Sequence, residues 1–176
     1  MKPVRTLLAA VIAALSLNAH AVTAPTDGSW FEFDFDFDGT NSALYDLGTL
    51  DTDFTFTLAQ SGLLRAMDVG FSGDRFEIFA NGLSLGLTSA PLALGASEEP
   101  IFDLAAVSAD NRFSKGSWNL AAGSYTITGL AALSPEGGGY GVMSITAVPE
   151  PESWAMLLAG LGMLGAIARR HLTRHV

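Results

Sequence analysis

The chain has 176 residues, no cysteine, and a formal net charge of −9 at pH 7. Its three histidines, His20, His171 and His175, lie near the two ends, so the middle of the chain holds neither Cys nor His. This composition excludes a Ser-His-Asp triad, a Cys-His nucleophile and the usual zinc or copper sites from the middle. A carboxylate pair could still hydrolyse a glycoside, and no pair stands out among the acids. We therefore expect no enzymatic activity and no cofactor.

The N-terminus has the three parts of a secretory signal peptide. Lys2 and Arg5 form a basic start, an apolar run covers Leu7 to Leu17, and Ala19-His20-Ala21 is an A-x-A cleavage site. We predict a signal peptide over residues 1–21 that is cut after Ala21. Residues 22–148 then form one exported domain.

The predicted domain is strongly acidic and has the pattern of an all-β protein. Residues 22–148 hold sixteen acidic and four basic side chains, a balance of 4 − 16 = −12, which disfavours nucleic acid as a partner. Alternation with a period of two recurs between glycine-rich turns. Strands are predicted at Trp30–Gly39, Asp53–Leu58, Leu63–Phe71, Arg75–Ala80, Leu83–Thr88, Ile101–Val107, Ser124–Leu130 and Gly141–Val148, with Trp118–Leu120 as an optional short strand. This spacing predicts a single antiparallel β-sandwich of the Greek-key or jelly-roll type.

The first of these strands carries a run of alternating acids. Asp34, Asp36 and Asp38 precede Gly39 as in the D-x-D-x-D-G opening of a calcium loop, but Tyr45 occupies the closing position, where an acid is needed. The phenylalanines between the acids favour a strand with a solvated acidic face. Both interpretations stay open: a calcium site at these three residues, or an acidic face that discourages edge pairing.

Two local patterns support strand pairing in the sandwich. Asn81-Gly82 between two strands is the signal of a type I′ hairpin. Leu120, Gly123 and Tyr125 have the spacing of a tyrosine corner, in which the hydroxyl bonds to the preceding loop, although an ordinary turn is an equal alternative.

The C-terminus again has three parts. Pro149-Glu150-Pro151 is followed by an uncharged apolar run and then by the basic residues Arg169, Arg170 and Arg174. Prolines enforce an extended backbone, the apolar run favours lipid, and arginines resist translocation. We predict a transmembrane helix over residues 153–168 within a sorting segment, residues 149–176.

This tail resembles the PEP-CTERM sorting signal of Gram-negative, exopolysaccharide-producing bacteria. The resemblance implies processing near Pro149-Glu150-Pro151 by an exosortase, a membrane transpeptidase that would be the main partner. It also implies a transient anchor in the inner membrane, with Arg169, Arg170 and Arg174 retained inside, followed by delivery to the cell surface or extracellular matrix. Phe71, Asp74 and Phe76 further resemble the central block of the F-x-D-x-F group of such proteins, with one extra residue between the first two.

Two classes of function follow. The first is an exported surface or matrix protein linked to exopolysaccharide or biofilm. The alternative is a carbohydrate- or calcium-binding β-sandwich module. Sugar binding would be favoured if Trp30 and Trp118 lay on one concave face, because sugars stack on aromatic rings.

Overall fold

The computed structural model describes residues 21–92, 99–148 and 156–164, and within them the chain is mostly β. The elements in chain order are β1 Val22–Thr23, β2 Asp27–Asp36, β3 Ser42–Ala43, β4 Phe54–Leu58, β5 Gly62–Val69, β6 Arg75–Ala80, β7 Leu83–Leu87, α1 Leu104–Ala109, β8 Lys115–Leu120, β9 Gly123–Leu133 and β10 Gly138–Ala147. Residues 156–164 are also helical.

The strands form two sheets. One has the order β1-β4-β9-β6-β7, with β3 also paired to β9, and the other has the order β2-β10-β5-β8. The pairs are antiparallel except for β1 with β4, which is parallel. The prediction of a mostly antiparallel two-sheet protein is therefore confirmed.

The core lies between the sheets and is built by strand alternation. Phe33 and Phe35 of β2 are buried, while Asp34 between them points to the opposite face. Phe76 of β6, in the other sheet, packs edge-on against both rings at centroid distances of 5.0 and 5.1 Å. Phe54, Phe56 and Ile78 are also buried, whereas Tyr125 is partly buried. These contacts hold the two sheets face to face as a β-sandwich.

Both local patterns are confirmed. Asn81 and Gly82 have φ angles of 50° and 76° between the paired residues Ala80 and Leu83, which is the backbone of a two-residue type I′ turn. The Tyr125 hydroxyl donates to the Ala121 carbonyl at 3.0 Å, as a tyrosine corner requires.

The predicted strand over Ile101–Val107 is wrong. Ile101 makes only an isolated bridge to Gly70, and the chain then forms α1, whose first turn is capped by the Asp103 carboxylate accepting from the Ala106 N–H at 2.8 Å. Val107 of this helix is buried. A good N-cap and an alanine-rich segment outweighed the short apolar run that suggested a strand.

This helical segment covers the outer face of the second sheet. A second apolar cluster, separate from the inter-sheet core, contains Met67, Val69, Val107, Phe113 and Val142. The outward-facing side chains Met67, Val69 and Val142 are therefore buried too. At these positions the strands do not alternate between buried and exposed residues. The prediction also omitted β1 and β3, because two residues are too short to show an alternating pattern.

Candidate functional site

Most of the predicted sorting and cleavage residues lie outside the described residues. These are Ala19 at the leader, Pro149, Glu150 and Pro151 at the sorting triplet, and Arg169, Arg170 and Arg174 in the tail. Ala21 is described and exposed. None of the helices in the described ranges is long and apolar enough to cross a membrane.

The structure does fix the point from which the tail departs. β10 ends at Ala147, and the Val148 N–H donates to the Ser61 carbonyl at 2.8 Å. The folded domain therefore holds the backbone as far as the residue before Pro149. No linker of flexible composition separates the sandwich from the predicted sorting triplet.

The three acids of the calcium-loop pattern do not share a centre. Asp34 lies in β2 and exchanges two backbone hydrogen bonds with Tyr45, at 2.8 and 2.9 Å. Asp36 accepts from the Tyr45 hydroxyl at 3.2 Å. Asp38, beyond the strand, accepts from the N–H and hydroxyl of Thr40. Burial, followed by the charges of Glu32, Asp46 and Asp36, raises the pKa of Asp34.

These contacts indicate a solvated strand face with a turn at its end. Among residues 21–92, 99–148 and 156–164, no group of three or more His, Cys, Asp or Glu side chains is placed to hold a metal ion. The calcium site at Asp34, Asp36 and Asp38 therefore stays a prediction.

The two candidate sugar-stacking tryptophans lie on opposite faces of one sheet. Trp30 is on the outer face of β2, where the Arg65 guanidinium lies 4.9 Å from its ring centre. Trp118 of β8 pairs with the buried Leu64 and packs against the inter-sheet core. They therefore do not form the single concave aromatic face that sugar binding would need.

The structure brings together a polar group that the sequence prediction did not assemble. Asp68 is 0% exposed at the end of β5, and Asp74 is 3% exposed just before β6. Four hydroxyl side chains are buried in the segments around them: Ser72, Thr88, Ser114 and Ser134. We call Asp68, Asp74 and Ser134 the carboxylate site.

Hydrogen bonds satisfy this site only in part. Asp68 Oδ2 accepts from the backbone N–H groups of Gly73 and Asp74, both at 3.1 Å. Asp68 Oδ1 is buried without a hydrogen-bond partner. Asp74 accepts a hydrogen bond from Ser134, whose hydroxyl oxygen accepts in turn from the Gly138 N–H at 3.1 Å.

The surroundings disfavour negative charge on both groups. Burial raises the pKa of Asp68 to about 8; the charge of Asp74 adds to this, and the backbone N–H bonds oppose it. Burial raises the pKa of Asp74 to about 6, against the hydrogen bond from Ser134 and with a contribution from the charge of Glu136. Each carboxyl group therefore favours a proton or another positive charge beside it.

The sequence contained a signal for this site. Leu64 and Ala66 point into the core, and Asp68 is the next residue at the same alternating positions of β5. An acid at an inward strand position is rare without a partner. The Asp68 carboxylate accepts from the backbone of the turn that follows β5.

Comparison with known proteins identifies the tail. The PEP-CTERM protein-sorting motif matches residues 147–171. This motif implies an exported protein with a membrane-anchored sorting intermediate and processing by exosortase, a membrane enzyme. The match does not reach the block around Phe71, Asp74 and Phe76, and the F-x-D-x-F grouping stays a prediction.

Among solved structures, the chain is similar to the pre-peptidase C-terminal domain of collagenase from Bacillus anthracis. The two share 11% sequence identity, the alignment covers 72% of this chain and 94% of that chain, and the TM-score is 0.39. No curated protein matches the sequence.

Proposed function

We propose that this chain is a non-enzymatic protein of the cell surface or extracellular matrix of a Gram-negative bacterium, where it is linked to exopolysaccharide or biofilm. The observation that carries the proposal is the sorting motif at residues 147–171, which begins at the last residue of β10. A β-sandwich whose final strand continues directly into a sorting signal is consistent with a domain that functions outside the cell.

The direct junction supports a role at a surface. Because the Val148 N–H is bonded to the Ser61 carbonyl, processing near Pro149-Glu150-Pro151 would leave almost no free chain after the sandwich. Any group joined to that end would lie close to the folded domain. Such a short connection suits a structural component better than a module that searches for a distant ligand.

The described residues also favour a non-enzymatic role. A glycosidase needs two carboxyl groups that flank a bound sugar. The two carboxyl groups with strongly raised pKa values, Asp68 and Asp74, are 0% and 3% exposed, so a polysaccharide does not reach them in this conformation. The sugar-binding alternative loses support because Trp30 and Trp118 lie on opposite faces of their sheet.

The test has two parts, both made on the protein from its host. Mass spectrometry of the mature protein should show loss of the leader through Ala21 and processing near the Pro-Glu-Pro triplet, and the processing should disappear in cells without the transpeptidase. A Pro149→Ala/Pro151→Ala variant should also remain unprocessed, whereas Pro91→Ala, outside the motif, should be processed normally.

The second part addresses the surface role. The mature protein should fractionate with extracellular polysaccharide and appear free in the medium of a strain that makes no such polymer. Mature protein that still carries Arg169 and Arg170 would contradict the processing, and equal distribution in the two strains would contradict the polysaccharide association.

A further inference from the structure

We propose that the carboxylate site binds one divalent metal ion, with Ca²⁺ preferred, through the carboxylates of Asp68 and Asp74. This site is separate from the acidic strand face of Asp34 and Asp36, and the proposal does not rest on the surface role. It starts from Asp68 Oδ1, an oxygen of a side chain that is 0% exposed and has no hydrogen-bond partner.

An ionised carboxylate oxygen in such a place is costly unless something positive faces it. Buried charges in proteins are paired with an opposite charge or coordinate a metal. Asp68 has a second buried acid beside it instead, since the Asp74 N–H donates to Asp68 Oδ2 at 3.1 Å and both side chains are buried. Two adjacent acids increase the uncompensated negative charge, and one divalent ion would neutralise both.

The neighbouring basic side chains are engaged elsewhere. Arg75 Nε, next in sequence to Asp74, donates to the Thr88 carbonyl at 3.0 Å. Lys115 Nζ donates to the carbonyls of Val107 and Asp110, at 3.2 and 2.5 Å. Neither of these contacts is to the two carboxylates, so a proton or a bound cation must offset their charge.

The donor atoms select the type of metal. The site offers carboxylate oxygens and the hydroxyl of Ser134, with no nitrogen or sulfur ligand, because the middle of the chain lacks His and Cys. Hard oxygen ligands suit calcium and magnesium, and calcium tolerates irregular geometry better. Two buried acidic side chains meet here, so water would complete the shell. We expect a Kd of roughly 0.1–1 mM, in the range of extracellular calcium modules.

An ion can reach the site past Gly139 of β10. This glycine is exposed, and a Cβ built on it would lie 3.3 Å from Asp74 Oδ2. The missing side chain therefore leaves one carboxylate oxygen close to solvent. Gly139→Ala should narrow this opening without removing a ligand.

The experiment uses the full-length chain in non-ionic detergent after treatment with EDTA. Calorimetric titration with CaCl₂ should show one ion per chain. The Tm should rise by about 5–10 °C at a calcium concentration about 100 times the Kd, and NaCl of equal ionic strength should give a smaller rise. Asp68→Asn and Asp74→Asn should abolish the calcium-specific rise, while Asp36→Asn, on the exposed strand face, should keep it.

Several results would overturn the proposal. One is the absence of calcium binding by the wild-type chain, a measurement that does not depend on any variant folding. Another is a rise in Tm that NaCl reproduces in full, and a third is loss of calcium binding in Asp36→Asn with retention in Asp68→Asn. Gly139→Ala keeps both ligands and should weaken calcium binding severalfold; unchanged affinity would contradict the proposed route.

Discussion

Burial of Asp68 should make the metal-free protein less stable as the pH rises. Its pKa is about 8 in the folded chain against 3.8 ordinarily, so the folded state binds more protons than the unfolded state between about pH 4 and pH 8. The stabilising proton is present at low pH and is lost as the pH rises through 8. The difference, 8 − 3.8 = 4.2, corresponds to about 6 kcal/mol of unfolding free energy, comparable to the whole stability of a small domain.

The carboxyl groups with shifted pKa values elsewhere in the described residues do not reverse this slope in the relevant range. Asp74, whose pKa is raised to about 6, acts in the same direction between about pH 4 and pH 6. Three other carboxyl groups have lowered pKa values because a neighbouring side chain donates to each: Asp27 from Ser29, Asp38 from Thr40 and Asp110 from Arg112. These groups change the unfolding free energy only below about pH 4. Between pH 5 and pH 8, unfolding free energy should therefore fall steadily.

The assay is urea unfolding of the full-length chain in detergent and EDTA at pH 5, 6, 7 and 8, followed by tryptophan fluorescence. Asp68→Asn removes the titrating group and keeps an oxygen to accept from Gly73 and Asp74, so its stability should change much less with pH. Asp36→Asn, at an exposed position, should follow the wild type. A wild-type stability that is constant or rises from pH 5 to pH 8, or an equal slope in Asp68→Asn, would refute this account of the buried carboxyl.

Three further changes test the packing, each by urea titration against the wild type. Phe76→Ala should cost roughly 3–5 kcal/mol, because its ring packs edge-on with Phe33 between the sheets, and a cost below about 1 kcal/mol would contradict its central position. Gly141→Ala should cost about 1–3 kcal/mol, because the added Cβ would overlap the ring of Phe33. Tyr125→Phe should cost about 0.5–1.5 kcal/mol through loss of the hydrogen bond to Ala121, and no change would show that the bond adds nothing.

Local sequence determined much of the sheet architecture. The bounds of β6 were predicted to the residue, and the Asn81-Gly82 turn and Tyr125 corner have the expected geometry. These features depend on the chemistry of a few consecutive residues: alternation selects a face, and an Asn-Gly pair accepts positive φ. The sorting motif was likewise readable because its three parts follow one another along the chain.

Features that need distant partners could not be read in this way. α1 was predicted as a strand because its apolar residues match either structure in so short a segment, and its burial over Met67 and Val142 decides the matter. Trp30 and Trp118 were equal candidates until sheet register placed them on opposite faces.

The carboxylate site likewise has one feature that the sequence indicates and others that only the folded structure shows. Alternation along β5 was enough to place Asp68 facing inward, but not to show what it would meet there. The turn after β5 brings it beside Asp74, whereas the fold places Ser134, from beyond β9, next to Asp74. A strand pattern specifies which face a side chain occupies, whereas the charge and burial it experiences depend on residues that are distant in sequence and become neighbours only on folding.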